Sequence, residues 1–455
     1  MRMINNALSG AQAAQVALNT ASQNIANQQT PGYSRQGVVL VTQAPGAGDP
    51  LSAGYGVNVS NVRRFSDDYK NLLQWQAGSN VGSQAAAEPY FAQLEKVMGA
   101  KGSSLSEGFD QFFAALNAAS LDSNTMRDQV IRSAGALAQR FNNLDGVLTS
   151  QLAAIAEQRN ATLTQINSAT ANLATLNEKL MSARAQGINT SGLEDERDRQ
   201  IDSLSSLIEV RVVAQPDGSK AISLKNGLPL VVGDSPATLS SEGQPDGSQQ
   251  LKLAFGTEKY AMPGGDLGGQ LGGLNRFEAE NLRPVQAQVR TLAGELATRV
   301  NAQLAKGYDM NGQPGKPLFQ YDAGAAHGLL QSAGILAAEL GFSADPAKPG
   351  NNDNLREVLK IKQQAFPLAG VGNVTLGDAY SQMIGHLAIS SQQNKASLAT
   401  ANVIRAEAEK NWQNTSGVQR DEEAVSLIEF QKMYQANMKV ISVANQLFES
   451  TLAIL

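Results

Sequence analysis

Few residues of this sequence are equipped for chemistry. Its 455 residues include two histidines, His327 and His386, and no cysteine. Neither histidine has a His, Cys or carboxylate partner at ligand spacing, so no metal centre is expected. Ser/His/Asp catalysis would need one of them, and no nucleophile-elbow sequence occurs. The densest ionisable run is Glu194-Asp195-Glu196-Arg197-Asp198-Arg199. Its carboxylates suggest cation binding at first sight. Acid and base alternate, however, which predicts a solvated helix face laced by i,i+3 and i,i+4 pairs. Asp309-Met310-Asn311-Gly312 opens like a calcium loop, but Pro314 follows and no glutamate closes it, so a turn is predicted. There is no glycine-rich phosphate loop. The chain therefore reads as not an enzyme, with no catalytic residue, no cofactor and no metal.

What the chain carries instead is heptad periodicity at its two ends. From Asp421 onward, Leu427, Tyr434, Ile441, Phe448 and Leu455 recur every seventh residue. Phe430, Asn437, Ala444 and Thr451 lie three positions further on and are smaller or more polar. This is an a/d seam, uninterrupted by Pro or Gly. Asp421, Glu422 and Glu423 suit an N-cap and first turn. At 1.5 Å per residue the helix would be roughly 50 Å long and needs a partner to bury its stripe. Ile4, Ala11, Leu18 and Ile25 form a second heptad at the other end, with Ala7, Ala14 and Ala21 at the companion positions. Small residues there let two backbones approach, so the termini are expected to pack as an antiparallel pair. The plainer alternative is that each is an amphipathic helix of an ordinary bundle.

Thr30-Pro31-Gly32 ends the first helix: Pro31 keeps Thr30 out of helical geometry and Gly32 permits a left-handed turn. The stretch SQNIANQQTPGYSRQ around it resembles the N-terminal signature of the bacterial flagellar axial proteins, the rod, hook and hook-associated subunits. Its motif positions here are Asn24, Ala26, Asn27, Thr30, Pro31, Gly32 and Tyr33. Ser34-Arg35-Gln36 is the form typical of the hook-associated members. GVQRDEEAVSLIEFQKMYQANMKVISVANQLFES resembles the C-terminus of the same proteins, although Gln419-Arg420 stands where the family usually has Asn-Leu. Weaker matches run through QFFAALNAAS, LEDERDRQIDSLSSLI and GYDMNGQPGKPLF.

The middle of the chain reads as helices around a β insert. Residues 37–65 give two extended segments joined by a loop at 45–54. Helix follows from Asp67 to Val97, as one helix or two about Pro89. A break at 99–103 precedes Leu105–Leu116, with Phe109, Phe112, Phe113 and Leu116 on one face. A long tract then runs from Asn124 to Ala183, with a possible bend at Gly146. At Val210 the period changes from 3.6 to 2. Asp217-Gly218, Asn226-Gly227 and Asp246-Gly247 mark hairpins there. Helix resumes from Gly269 to Leu304, at Leu355–Phe366, and from Leu376 to Asn414. Gly307–Gly328 is irregular. Related proteins often carry a large outer domain near this point, so by resemblance that domain is missing or minimal here.

The net charge of −5 with no basic block argues against nucleic acid as a partner. No apolar run approaches the ~18 residues of a membrane span. The expected fold is mainly α: long terminal helices forming a coiled coil, plus a helical bundle, with a small inserted β domain. Residues 1–65 and 415–455 would form an inner coiled-coil layer, 66–208 and 268–414 a helical wall, and 209–267 the β domain. An inserted domain tolerates loss, so a short linker in place of 211–262 is expected to leave the bundle's unfolding intact.

The resemblance implies a structural subunit of the flagellum at the junction between hook and filament, self-assembling through its terminal helices. It implies export through the flagellar type III exporter without a cleaved signal, and an extracellular position. Implied partners are copies of itself in a ring or short helical segment, the hook protein, a second junction protein, and an export chaperone on the C-terminal helix. The assembly residues would be the heptad positions Ile4, Ala11, Leu18, Ile25, Leu427, Tyr434, Ile441, Phe448 and Leu455. One rival is a secreted coiled-coil effector or needle-tip protein of a related exporter, which would not share TPGYSRQ. Another is a wall-cleaving enzyme on axial termini, for which 209–262 is too short a domain.

Overall fold

A computed structural model describes residues 2–44, 54–100, 104–119, 124–245, 247–262, 267–324 and 328–453. Within it the chain forms two compact units. Met1–Gly82, Leu163–Gly269 and Thr400–Leu455 make one; Ser83–Thr162 and Gln270–Ala399 make the other. Three long helices contribute residues to both: α2 (Asp68–Gly99), α4 (Asn124–Ala185) and α9 (Leu376–Ser416). The architecture is mainly helical with small antiparallel sheets.

The first unit begins with α1 (Arg2–Ala26), followed by the antiparallel pair β1 (Gln36–Thr42) and β2 (Val57–Arg64). The two extended segments read from sequence are these strands; most of the loop expected at 45–54 lies outside the described residues. The unit ends with α10 (Arg420–Leu452). The backbone N–H of Arg35 donates to Ser416 O at 2.7 Å, which ties the start of β1 to the end of α9. The cap of α10 is Gln419, without a side-chain cap bond; Asp421, Glu422 and Glu423 occupy its first turn, where the helix dipole favours them.

Between these ends, α5 (Ser191–Leu207) leads into seven strands. β3 (Val210–Ala214), β4 (Lys220–Leu224), β5 (Pro229–Val232) and β6 (Ser235–Pro236) form one antiparallel sheet in that order. β7 (Thr238–Gly243), β8 (Gln249–Phe255) and β9 (Glu258–Ala261) form a second. Gly218 and Gly227 both sit at φ +89°, the left-handed geometry that their Asp-Gly and Asn-Gly turns require. Asp246 of the third expected turn is outside the described residues, but its flanking strands pair as β7 and β8. The Glu209 N–H donates to Leu267 O at 2.9 Å, so entry and exit of the insert are adjacent.

The insert is bonded to α4 of the same unit. Leu163, Ile166, Leu173 and Leu180 of α4 are buried. Asn167 Nδ2 donates to Leu239 O at 2.9 Å, and Asn177 Nδ2 donates to both Lys220 O (3.0 Å) and Gly233 O (2.9 Å). The sheets therefore supply the polar partners of α4's second half. These bonds count against the expectation that a linker in place of 211–262 would leave the bundle's unfolding intact. Such a variant should lose several kcal/mol, because apolar burial and the side-chain bonds of Asn167 and Asn177 are lost together. Its thermal unfolding should move down by well over 5 °C; an unchanged midpoint would contradict the packing described.

The second unit holds one continuous core. α3 (Leu105–Ala118) starts at Ser104, whose Oγ accepts the Glu107 N–H, and buries Phe109, Phe112, Phe113 and Leu116 as its periodicity predicts. Phe109 packs edge-on to Phe141 of α4 at 5.8 Å between ring centroids, and Phe112 to Phe319 at 5.5 Å. Tyr380 is fully buried with its hydroxyl donating to Met98 O at 2.8 Å. α2 runs through Pro89 as one helix, and α4 runs 62 residues as one helix past Gly146.

Elsewhere in this unit the local chemistry redirects the chain. After α6 (Gly269–Phe277) the turn Glu278–Leu282 is a π-helix, and α7 (Arg283–Leu304) follows. Pro284 has no N–H for the α-helical ladder, and the widened turn absorbs that gap. Asp309 lies in a turn as expected, its Oδ1 accepting from Asn311 N and Gln313 N at 2.8 Å each. β10 (Phe319–Tyr321) and β11 (Leu330–Ser332) pair nearby. The helix expected to Phe366 is shorter: α8 is Asp353–Lys360. Pro367 forces Phe366 into extended geometry. Phe366–Leu368 becomes β12, paired with β13 (Gly372–Val374).

Candidate assembly surface

The N-terminal face of α1 that turns inward is made of small residues. Ala7, Gly10, Ala11, Ala13, Ala14, Ala17, Ala21 and Asn24 are its buried positions. At Gly10 an added Cβ would stand 2.6 Å from Asn437 Oδ1 of α10. Further along, Asn24 Nδ2 donates to Glu423 Oε2 at 3.0 Å, and Arg420 Nε donates to Gln28 Oε1 at 3.0 Å. Rising numbers in one helix meet falling numbers in the other, so α1 and α10 are antiparallel. Alanines in the seam explain the close approach.

The heptad residues divide across this pair. Ala11 is buried, while Ile4, Leu18, Leu427, Tyr434 and Ile441 are half-buried along its edges. Ile25 is 36% exposed and Phe448 is 63% exposed. Leu455 lies outside the described residues. Only Glu423 and Ala444 of α10 are buried. Val425, Ile428, Val443, Leu447 and Leu452 face outward with Phe448. Such a density of uncovered apolar side chains marks an interaction surface.

So little burial makes the pair marginal by itself, since long helices in water draw most of their stability from packing. In dilute monomer, α1 and α10 should exchange amide hydrogens at least 100-fold faster than α3 and α7. Equal protection, measured by mass spectrometry on a proven monomer, would contradict this.

The turn after α1 is a hub of polar contacts. Asn24 uses its full hydrogen-bonding capacity. Its Nδ2 donates to Glu423 and to Gln36 O at 2.9 Å, and its Oδ1 accepts from Gln36 N and Tyr33 OH at 3.0 Å each. Burial, with the negative charges of Asp195 and Glu423, pushes the Tyr33 hydroxyl up to about 12, so it stays a donor. Asn27 Nδ2 donates to Gln23 O at 2.9 Å, and Thr30 Oγ1 to Asn27 Oδ1 at 3.3 Å. Ala26, Thr30 and Pro31 are exposed. Gly32 has φ +72°, and a Cβ there would lie 2.4 Å from Arg199 Cγ. Glycine is thus required twice over, for its backbone and for its space.

Beneath the turn lies a cluster that the sequence misled. Glu194–Arg199 is a solvated face only in part: Glu196 and Arg199 form the expected i,i+3 pair with side chains 36% and 43% exposed, but the rest turns inward. Asp195 and Arg197 are 5% and 4% exposed. Arg64, at the end of β2, reaches Asp195 Oδ1 through Nε at 3.0 Å, Glu194 Oε2 through Nη1 at 3.5 Å and Asp198 Oδ2 through Nη2 at 2.5 Å. Lys220 of β4 meets Asp198 Oδ1 at 2.9 Å and lies over the Trp75 ring. Arg197 Nη1 donates to Gly218 O at 2.8 Å. Ser34 N donates to Asp195 Oδ2 at 3.1 Å, which joins the cluster to the turn.

The electrostatics follow from this crowding. Burial alone would raise Asp198, but Lys220, Arg64 and Arg197 outweigh it and hold the carboxyl below its usual range. Glu194 is likewise held down, by hydrogen bonds from Arg184 and Thr190 acting against burial. Asp195 goes the other way: burial raises it despite Arg64 and the Ser34 bonds. A second tie is the fork of Arg405 on Asp202, at 2.7 Å from each nitrogen to its own oxygen, which fixes α9 to α5.

These ion pairs tie β2, β4 and the turn after α1 to α5. Among the described residues no group of three His, Cys, Asp or Glu could hold a metal, and no helix is long and apolar enough to cross a membrane. His386 is exposed on α9; His327 lies outside the described residues.

The family model described as the flagellar hook-associated protein FlgK helical domain matches residues 91–319, just over half of the sequence. The chain belongs to the FlgK family of flagellar hook-associated proteins. Two further models match its ends: flagella basal body rod protein over residues 4–33, and flagellar basal body rod FlgEFG protein C-terminal over 411–454. Flagellar hook-associated protein 1 of Salmonella typhimurium (strain LT2) is 26% identical, over 99% of both chains. The proteins of that name from Escherichia coli (strain K12) and Bacillus subtilis (strain 168) are 25% and 24% identical, over 99% and 97% of this chain and 99% and 95% of their own. The Salmonella alignment spans 552 positions against the 455 residues here, so at least 97 positions of it have no counterpart in this FlgK-family chain. In fold, the chain is similar to the flagellar hook junction protein FlgK from Burkholderia pseudomallei, with TM-score 0.67, 18% identity, and coverage of 77% of this chain and 100% of that one.

The FlgK-type motif residues read from the sequence, Asn24 to Tyr33, come together at the turn. What the sequence did not reveal is their connection to Arg64, Asp195 and Asp198. The available signal was the arginine pair Arg63-Arg64 closing a strand of alternating apolar residues.

Proposed function

We propose that this chain is a structural subunit of the bacterial flagellum at the junction between hook and filament, assembling there through α1 and α10. The observation that carries this is the outward apolar face of α10, uncovered within the chain, on a protein whose two ends and middle match flagellar models. Residues 1–65 and 415–455 would form the inner layer, 66–208 and 268–414 the wall, and 209–267 the outward β domain. Ile4, Ala11, Leu18, Ile25, Leu427, Tyr434, Ile441, Phe448 and Leu455 serve the layer's packing. The rigid turn at Asn24–Tyr33 sets the angle at which the layer leaves the wall.

The partners on this reading are further copies in a ring or short helical segment, the hook protein below and a second junction protein above. A chaperone covers the apolar face of α10 before export, which proceeds without cleavage to the outside of the cell. No catalytic chemistry is assigned.

The test is position. The Asn226-Gly227 turn is exposed and tolerates an epitope insert. Immunogold against that epitope should give a single band between hook and filament. Label along the filament, or on the cell body alone, would sink the reading.

A further inference from the structure

Residues 33–36 are bonded to four different helices. Tyr33 OH donates to Asn24 of α1, and Ser34 N donates to Asp195 of α5. Arg35 N donates to Ser416 O at the end of α9, and its Nη1 donates to Glu422 Oε2 of α10 at 2.6 Å. Gln36 pairs both its backbone N–H and its C=O with the Asn24 amide. Arg35 O accepts Phe65 N at 2.8 Å, which ties in the end of β2.

The first turn of α10 grips this stretch at two points. Glu422 takes Arg35, and Glu423 takes Asn24 Nδ2 at 3.0 Å. Glu423 is 5% exposed and Asn24 1%. Among the described residues no cation pairs with Glu423, because Arg35 is held by Glu422, so the Asn24 amide is what compensates its burial. Asn24 has no group to spare. Gln36 fixes its Oδ1 and one Nδ2 hydrogen, which leaves the second hydrogen for Glu423.

From this we infer a latch: docking of the first turn of α10 and ordering of residues 33–36 are one event, with Asn24 as the piece they share. The turn can bury Glu423 only against an Asn24 that Gln36 has already oriented. When the turn lifts, Asn24 loses an acceptor and Arg35 loses its carboxylate, so the stretch loosens with it. Only Gly417, Val418 and Gln419 separate α9 from α10, and Arg35 N is bonded at Ser416, directly before them. Through Ser34 the stretch also reaches Asp195, so the state of α10 is passed to the ion pairs of α5. Coupling of this kind is reciprocal: what loosens one side loosens the other. The latch is internal to one chain and does not depend on the assembly reading. On that reading, a copy that covers α10 holds the latch shut and stiffens the joint.

Amide hydrogen exchange of the purified full-length monomer, read by mass spectrometry over residues 33–42 and 419–427, tests the latch from both sides. Glu423→Ala should speed exchange at 33–36 roughly tenfold, although its carboxylate bonds only Asn24. Glu423→Gln keeps an acceptor for Asn24 Nδ2 and should stay within about threefold of wild type. Tyr33→Phe removes one donor to Asn24 and should speed 419–427 about fivefold. Exchange in α3 and α7 should not change in any of these variants. Unchanged exchange at 33–36 in Glu423→Ala, with or without a faster α10, means that helix and stretch order separately, and overturns the latch. Equal effects of Glu423→Gln and Glu423→Ala mean that charge at the helix start acts in place of the bond to Asn24, and overturn it too. Tyr33→Phe leaves α10 itself intact, so no change at 419–427 in that variant shows that the coupling is not reciprocal, and the inference falls. None of these outcomes bears on the position of the subunit in the flagellum, so the latch and the assembly reading fail separately.

Discussion

Phe448→Asp is expected to leave the chain folded and to abolish filament growth. Phe448 is 63% exposed and contributes almost nothing to the fold of one subunit. Its loss is felt only where another molecule covers it. Burying a phenylalanine is worth about 1.5–3 kcal/mol, and placing an unpaired carboxylate there adds a further desolvation penalty. A total of roughly 4 kcal/mol per contact weakens association about a thousandfold, and the penalty recurs in every subunit. Cells carrying the variant should release filament subunits into the medium and fail to swim, while the purified protein unfolds at the wild-type temperature. Normal swimming would show that this face of α10 is not an interface. A lowered unfolding temperature would show that Phe448 is packed within the chain after all.

The same residue illustrates how far the sequence could be read. The heptads announced two helices and a shared seam, because periodicity reports which face is apolar. Periodicity does not report which apolar residues meet inside the chain. In the pair, the alanines and Gly10 turn inward, because small residues let α1 and α10 approach closely. The larger Leu427, Tyr434 and Ile441 are left at the edges. Hairpins were legible for a local reason: Asp-Gly and Asn-Gly need no distant partner to make a turn. The helix expected to Phe366 stops short for another local reason: Pro367 holds Phe366 in extended geometry.

Glu194, Asp195, Arg197 and Asp198 depart from expectation for a different reason, while Glu196 and Arg199 keep the expected surface pair. Alternating charge on a helix is ordinarily solvated, and nothing within ten residues says otherwise. The residues that bury it, Arg64 and Lys220, arrive from strands far away in sequence. A charge pattern cannot show its own cover.

That cluster carries the largest stability effect expected of a single substitution. Arg64→Met should destabilise the first unit by about 3–5 kcal/mol at neutral pH, because it leaves Glu194, Asp195 and Asp198 buried without their shared cation. The pH dependence has a definite sign. Asp198 and Glu194 are held below their unfolded values, so each contributes stability above the unfolded value that is lost as pH falls through the folded one. Asp195 is raised, so its contribution is present below its unfolded value and lost as pH rises through the folded one. In the variant Lys220 still faces Asp198, Arg184 still faces Glu194, and Arg197 remains nearby. Without Arg64 all three carboxyls shift upward, and protonation then relieves the burial of charge. The gap between wild type and variant should therefore be widest at pH 7 and shrink steadily toward pH 4. Urea unfolding across that range measures it. A gap that stays constant with pH would mean that Arg64 acts through packing alone. One that widens in acid would contradict the assigned directions. Because Ser34 N holds Asp195 at the foot of the TPGY turn, the same variant should also loosen the joint between α1 and β1.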